Sequence, residues 1–234
     1  MKKWLLICLS LWVLVIAPWA IGSTQANEEI VLGVATSLGL LEGEESLRAA
    51  RLAVAEINRK GGVPVGEGMR LVRVVEADLQ DAMPGVSVNH ALSLLERVIV
   101  EKRPTAIVVG PFRSEVLLPA MDLMAKYEVL MLGTLAMSPA SEVKVIREPR
   151  YRYVFRVCLN SRYLVSYLID TMKLLHAKFG LHKVFMMVQD VAWARTTASL
   201  ISKYYFRRAG WEIQGLESYP NGCENYVSGL KRAR

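Results

Sequence analysis

Between Ile30 and Pro139 the chain alternates short apolar runs with longer segments whose apolar residues recur every three to four positions. That is the signature of βαβ units. Strands of a parallel sheet covered by helices on both faces read as continuous apolar runs, and the covering helices carry a 3.6-residue apolar period. Residues 30–35, 71–77, 106–109 and 129–132 are the four strand candidates. A loop over residues 36–45 holds Gly39 and Gly43, and Ser46 is placed to cap a helix whose face carries Leu47, Ala50, Val54 and Ile57. Gly61-Gly62 stops that helix. Pro84 opens a second, with Val88, Leu92, Leu95 and Ile99 on one face, and Ser114 is placed to cap a third that runs through Tyr127.

A second βα series follows. Tyr151, Tyr153, Phe155 and Val157 alternate with Arg150, Arg152 and Arg156, which predicts a strand with one apolar face and one exposed basic face. Helices are expected over residues 161–179 and 194–209, strands over 183–188 and 211–216, and a final helix from Glu224. No internal repeat, low-complexity stretch or Pro/Gly-rich linker interrupts the pattern.

The amino terminus points to export. Lys2 and Lys3 precede a nearly continuous apolar run from Trp4 to Trp19, and Thr24-Gln25-Ala26 is a small-x-small cleavage site. The run is short for a membrane span, which needs about 20 apolar residues, and Pro18 interrupts it. Residues 1–26 therefore read as a signal peptide, with an uncleaved anchor as the alternative. Without them the formal charge falls from +7 to +5. That mild excess suits solubility and is weak evidence for nucleic acid. Cys158 and Cys223 remain, and a pairing between them does not follow from their spacing.

Catalytic and metal chemistry find no support. Gly66-Glu67-Gly68 lacks the rest of a phosphate loop, no G-x-S-x-G elbow occurs, and His90, His176 and His182 lack metal-ligand spacing. Glu42, Glu44 and Glu45 read as a solvated loop. Nothing in the sequence calls for a cofactor.

Five segments then carry a resemblance. Residues 53–63 (AVAEINRKGGV) are similar to the A-x-E-x-N-x-x-G-G-[VI] helix ending of type I periplasmic binding proteins, in particular the branched-chain amino acid/amide receptors of ABC transporters. Val109-Gly110-Pro111-Phe112-Arg113-Ser114 resembles their [VI]-G-P-x-x-S, Ser138-Pro139 their T-S-P, Tyr153-Val154-Phe155-Arg156 their crossing strand Y-V-F-R, and Glu217-Ser218-Tyr219-Pro220 their E-x-Y-P. The order and spacing match from Ile30 to about Tyr226.

The resemblance implies an α/β fold of two Rossmann-like lobes with parallel sheets: lobe I over residues 27–157 and an incomplete lobe II over 158–234. It implies a periplasmic, non-enzymatic receptor that binds a small organic ligand between the lobes and delivers it to a membrane permease. A sensing module of the same fold, a non-functional fragment and a secreted α/β enzyme are the alternatives. Ligands of open parallel sheets bind beyond the carboxyl ends of the strands. By resemblance, Ser114 holds a ligand carboxylate, and Leu135, Ala136, Met137, Ser138 and Trp193 line the site. Met137 stands where many members have a threonine that contacts the amino acid, and Trp193-Ala194 where they have Tyr-Gly. Methionine donates no hydrogen bond. A pocket with Leu135, Met137 and Trp193 is thus expected to be more apolar than an amino acid site. Full-length members also continue through further lobe II strands and return to lobe I. A chain ending inside lobe II is expected to bind no amino acid with useful affinity and to associate through the uncovered edge of lobe II.

Overall fold

The computed structural model describes residues 29–220 and 223–233. The signal-peptide segment lies outside these residues. Five strands form one all-parallel sheet: β1 (Ile30–Thr36), β4 (Val72–Asp78), β5 (Ala106–Val109), β6 (Leu130–Gly133) and β7 (Val154–Arg156), in the order β4-β1-β5-β6-β7. The topology switches at β1, whose neighbours β4 and β5 lie on either side, so the loops after β1 and β5 diverge and leave a crevice at the carboxyl edge. Helices α1 (Leu41–Arg59), α2 (Val88–Lys102), α3 (Ser114–Tyr127) and α4 (Ala140–Arg147) connect these strands.

The main core lies between the sheet and helices α2 and α3. Leu79, Leu95, Ile107, Leu117, Met121, Met124 and Met131 are fully enclosed there, with Tyr151 beside them. Each such side chain contributes about 1.5–3 kcal/mol on leaving water. A smaller cluster of Val34, Leu47 and Val109 packs on the opposite face under α1.

The A-x-E-x-N-x-x-G-G segment has an architectural explanation. The Asn58 side chain donates to the Val72 carbonyl (2.8 Å) and accepts from the Val72 N–H (2.9 Å), which clamps α1 to the edge strand β4. Gly62 sits at φ +99° with its Cα against the Arg70 backbone, where a Cβ would lie 2.2 Å from the Arg70 oxygen. Only glycine fits that turn, and it launches a hairpin of β2 (Val63–Val65) and β3 (Gly68–Arg70).

The second unit is smaller. Helix α5 (Ser161–Phe179) leads to β8 (Lys183–Gln189), α6 (Ala192–Ile201), a π-helical turn (Ser202–Phe206), β9 (Glu212–Tyr219) and α7 (Val227–Arg232). β8 and β9 pair in parallel, and Val165, Ile201, Tyr205, Phe206 and Trp211 form their core.

Several sequence expectations change. α1 begins at Leu41, so Ser46 lies inside it and bonds back to the Glu42 carbonyl instead of capping. Glu42 and Glu44 are its favourable first-turn acids rather than a solvated loop. Pro84 lies in a turn, and Ser87 caps α2 by accepting from the His90 N–H (3.1 Å). Ser114 is the first residue of α3 rather than its cap. The basic-faced strand is reduced to three residues, and its faces are exchanged: Phe155 and Val157 are exposed, whereas Arg156 turns inward. Tyr151 is buried in a 3-10 turn (Pro149–Tyr151). The hairpin β2–β3 and helix α4 had no sequence prediction. Cys158 and Cys223 are both free thiols.

Candidate functional site

The crevice at the carboxyl edge of the sheet is held by a network of acids. Asp81, fully buried after β4, accepts from the Ser37 hydroxyl (3.0 Å) and from the Arg113 N–H (2.8 Å). Ser37 in turn accepts from the Ala82 N–H (2.6 Å). Asp78 accepts from the N–H groups of Leu38 (3.0 Å) and Gln80 (3.1 Å). The loops after β1, β4 and β5 are thereby stitched together, and the stitch fixes the residue that precedes Ser114. Burial pushes the Asp81 carboxyl above its ordinary value, and the donors from Arg113, Ser37 and Phe112 only partly offset that.

A second network joins the two units. Arg156 donates to the carbonyls of Ala136 and Ser138 (both 2.8 Å) and to the Ser141 hydroxyl (2.6 Å). It also forms a close ion pair with Glu142 (2.7 Å). Glu142 accepts both Asn160 Nδ2 contacts (2.7 and 3.0 Å), and Asn160 Oδ1 caps α5 through the N–H groups of Arg162 and Tyr163. The Ser161 N–H bonds the Met137 carbonyl (2.9 Å). The inward turn of Arg156 thus sets the loop after β6 against the start of α5.

Between these networks lies a cavity of about 250 Å³ lined by Ser114, Ser138, Pro139, Ala140, Ser161, Ala192, Trp193 and Thr196. Its walls come from both units. Ser114, Ala140, Ser161 and Ala192 are the first residues of α3, α4, α5 and α6, so four helix amino termini converge on one space. Such termini carry unpaired N–H groups and partial positive charge. Three are already served: Ser138 Oγ accepts from the Ala140 N–H (3.3 Å), Asn160 caps α5, and the Glu115 carboxylate accepts from the Ala192 N–H (2.9 Å). α3 has no side-chain cap. Its Ser114 is 3% exposed, and the hydroxyl has no partner among the described residues. The hydroxyls of Thr36 and Thr134, at the ends of β1 and β6, are buried and unpartnered in the same way.

Of the residues the sequence singled out, Ser114, Ser138 and Trp193 meet at this cavity. Met137 contributes its carbonyl to α5 and its half-buried side chain does not line the space. Leu135 packs in the cluster under α1, and Ala136 is buried in the main core. Sequence reasoning missed Ala140, Ser161, Ala192 and Glu115. The first three act through their places at helix starts, which residue type does not announce.

A family model described as periplasmic binding protein matches residues 31–234. The chain belongs to the periplasmic binding protein family. No curated protein matches it. Among solved structures, this periplasmic binding protein is similar to the branched-chain amino acid transporter substrate-binding protein LivJ of Streptococcus pneumoniae in complex with isoleucine. The two share 19% identity at a TM-score of 0.69, over 88% of this chain and 53% of that one. A leucine-complexed ABC transporter substrate-binding protein of Desulfitobacterium hafniense shares 23% identity at a TM-score of 0.61, over 88% and 54%. A Rhodopseudomonas palustris solute-binding protein in complex with 3,4-dihydroxy benzoic acid shares 17% at 0.66, over 87% and 51%. These likenesses show the type I periplasmic binding protein fold. The chain spans about half the length of these structures. Among the described residues no helix is long and apolar enough to cross a membrane.

Proposed function

We propose that this periplasmic binding protein is the extracytoplasmic solute-binding receptor of an ABC transporter. In this reading residues 27–157 form lobe I and residues 158–234 belong to lobe II. The ligand is a branched-chain amino acid, an amide or a related carboxylate, and it sits in the cavity where the four helix starts meet. Lobe closure over it is the state a membrane permease recognises. The observation that carries the reading is Ser114: a buried hydroxyl with no partner among the described residues, at a helix start that has no side-chain cap. A buried hydroxyl and free N–H groups in one place favour an anionic group such as a carboxylate. Trp193 supplies an apolar wall opposite it. In this reading the chain acts by binding rather than catalysis.

The test is thermal stabilisation by a panel of amino acids, amides and aromatic acids. A ligand at 100 times its Kd adds about 2.7 kcal/mol. Ser114→Ala should then weaken binding of the responding ligand by about 1–3 kcal/mol, read by calorimetry. Because the hydroxyl makes no bond among the described residues, the ligand-free variant should keep its stability within about 0.5 kcal/mol. Unchanged affinity would remove Ser114 from the site.

A further inference from the structure

The amino edge of the first sheet, at the opposite end from the cavity, holds a second concave surface. A cleft of about 650 Å³ is lined there by Arg70, Arg73, Lys102 and Arg103, together with Glu29 and the start of β1. The β2–β3 hairpin supplies Arg70, β4 supplies Arg73, and the end of α2 supplies Lys102 and its C-cap Arg103. Glu29 is the one acid lining the cleft, and it pairs with Arg73 (2.9 Å). Arg70, Lys102 and Arg103 have no acid at ion-pair distance among the described residues. Four cations against one acid leave three positive charges in excess within one concavity. The dipole of α2 accounts for Lys102, but strands have little net dipole and ask for no cation at Arg70 or Arg73. The rim is apolar. Val65 lines the cleft, and Val65, Met69 and Leu71 are 38%, 41% and 47% exposed on and beside the hairpin. The hairpin's own acid, Glu67, stands at its turn and does not line the cleft.

We propose that this amino edge is a docking surface for an anionic lipid bilayer. Arg70, Arg73, Lys102 and Arg103 receive the phosphate headgroups, and the exposed apolar side chains of the hairpin rest in the headgroup boundary. Cations beside exposed apolar groups are what a charged bilayer surface selects, whereas a nucleic acid backbone rewards the cations alone. The sequence also puts this edge next to the membrane. The apolar run that ends at Trp19 lies ten residues before Glu29, at most about 36 Å of extended chain. The cleft is therefore the part of the first unit that the bilayer meets as the chain is exported. The cavity lies at the carboxyl edge, so lipid and solute do not compete for one surface. Docking raises the concentration of the protein at the membrane without using the cavity. If the cations served only to close α2 and the hairpin, removing them would move stability and leave lipid binding alone.

The experiment is flotation of the exported chain with phosphatidylcholine vesicles, with and without roughly one-third phosphatidylglycerol. Wild type should partition to the anionic vesicles at least about tenfold better at about 0.1 M salt, and the advantage should vanish at about 0.5 M. The triple variant Arg70→Gln, Lys102→Gln, Arg103→Asn should lose at least about tenfold, since each charge near the surface is worth about fivefold. Asparagine suits the left-handed backbone of Arg103 (φ +47°). Lys203→Gln, Arg207→Gln, Arg208→Gln removes the same charge from exposed positions outside the cleft and should stay within about threefold of wild type. Equal losses in the two triple variants would mean that net charge alone binds, and would overturn the proposal. So would wild type that ignores phosphatidylglycerol, or that binds duplex DNA more tightly than the anionic vesicles at the same salt. If the first triple variant does not fold, Lys102→Gln alone, at an exposed position, should lose about fivefold, and a change below about twofold overturns the proposal.

Discussion

The five-stranded and two-stranded units follow the same βα rule and reach different degrees of enclosure. In the first, eleven apolar core residues among those described, including Leu95, Ile107 and Met124, have no exposed surface at all. In the second, the best-buried apolar side chain among the described residues is Phe206 at 2%, and β8 is half-buried along nearly its whole length. Among the described residues β8 pairs only with β9, and Tyr163, Tyr167, Leu174 and Phe179 stand exposed on α5. A sheet needs neighbours on both edges and cover on both faces before its apolar residues leave water. Stability is therefore concentrated in the first unit.

The largest expected effect separates the two cores directly. Leu117→Ala, under the first sheet, should cost about 2–5 kcal/mol by urea denaturation. Leu168→Ala, at the rim of the second core, should cost about 1–2 kcal/mol. Equal costs would show that the units are equally consolidated. Next in size is the acid brace, which only the first unit has. Asp81→Asn replaces an acceptor with a donor against the Arg113 N–H and should cost about 1–3 kcal/mol. Its pH dependence has a definite sign. Burial raises the folded-state value of Asp81 above 3.8, so the unfolded chain releases its proton first. The stability this group contributes falls as pH rises from 3.8 through the folded value, and the gap between wild type and Asp81→Asn should narrow over that window. A widening gap would reverse the assignment.

The smallest effect belongs to the second unit. Arg232, and after it Tyr219, hold the Glu217 carboxyl down at about 2. For a lowered acid the linked stability is present above the ordinary 4.5 and is lost as pH falls toward about 2. Carbon NMR titration should find the low value in wild type and a return toward 4.5 in Arg232→Gln. Arg232 is exposed and the pair sits at the edge of the unit, so the global melting midpoint should stay put. A large drop in the midpoint would mean that α7 matters to the second unit more than its enclosure suggests.

The sequence made the buried strands legible because β1, β5 and β6 are continuous apolar runs, and a parallel sheet covered on both faces leaves no other place for them. It failed at β7, where period two put Phe155 inside and Arg156 outside. The decision there lay with Glu142 and with the carbonyls of Ala136 and Ser138, some 14 to 20 positions away, which no local period reports. Two polar contacts and an ion pair outweighed the burial of one ring. α1 was started too late because Ser46 looked like a cap, while the real start at Leu41, preceded by Leu40, has no side-chain cap and relies on Glu42 and Glu44. The site was half legible. Ser114 and Ser138 stood in recognisable motifs, whereas Ala140 and Ala192 matter only for where their helices begin.

Pro119 lies inside α3. Proline has no N–H, so the hydrogen bond that would run back to the Glu115 carbonyl is not made. Met121 and Met124 anchor the body of the helix in the core, while the turn bearing Ser114 and Glu115 lacks one of the rungs that would stiffen it. Mechanically, α3 is a fixed shaft with a compliant tip. In the proposed reading a compliant tip lets Ser114 follow a ligand of slightly different length without disturbing the core, so residue 119 governs how tolerant the cavity is rather than how tightly it holds.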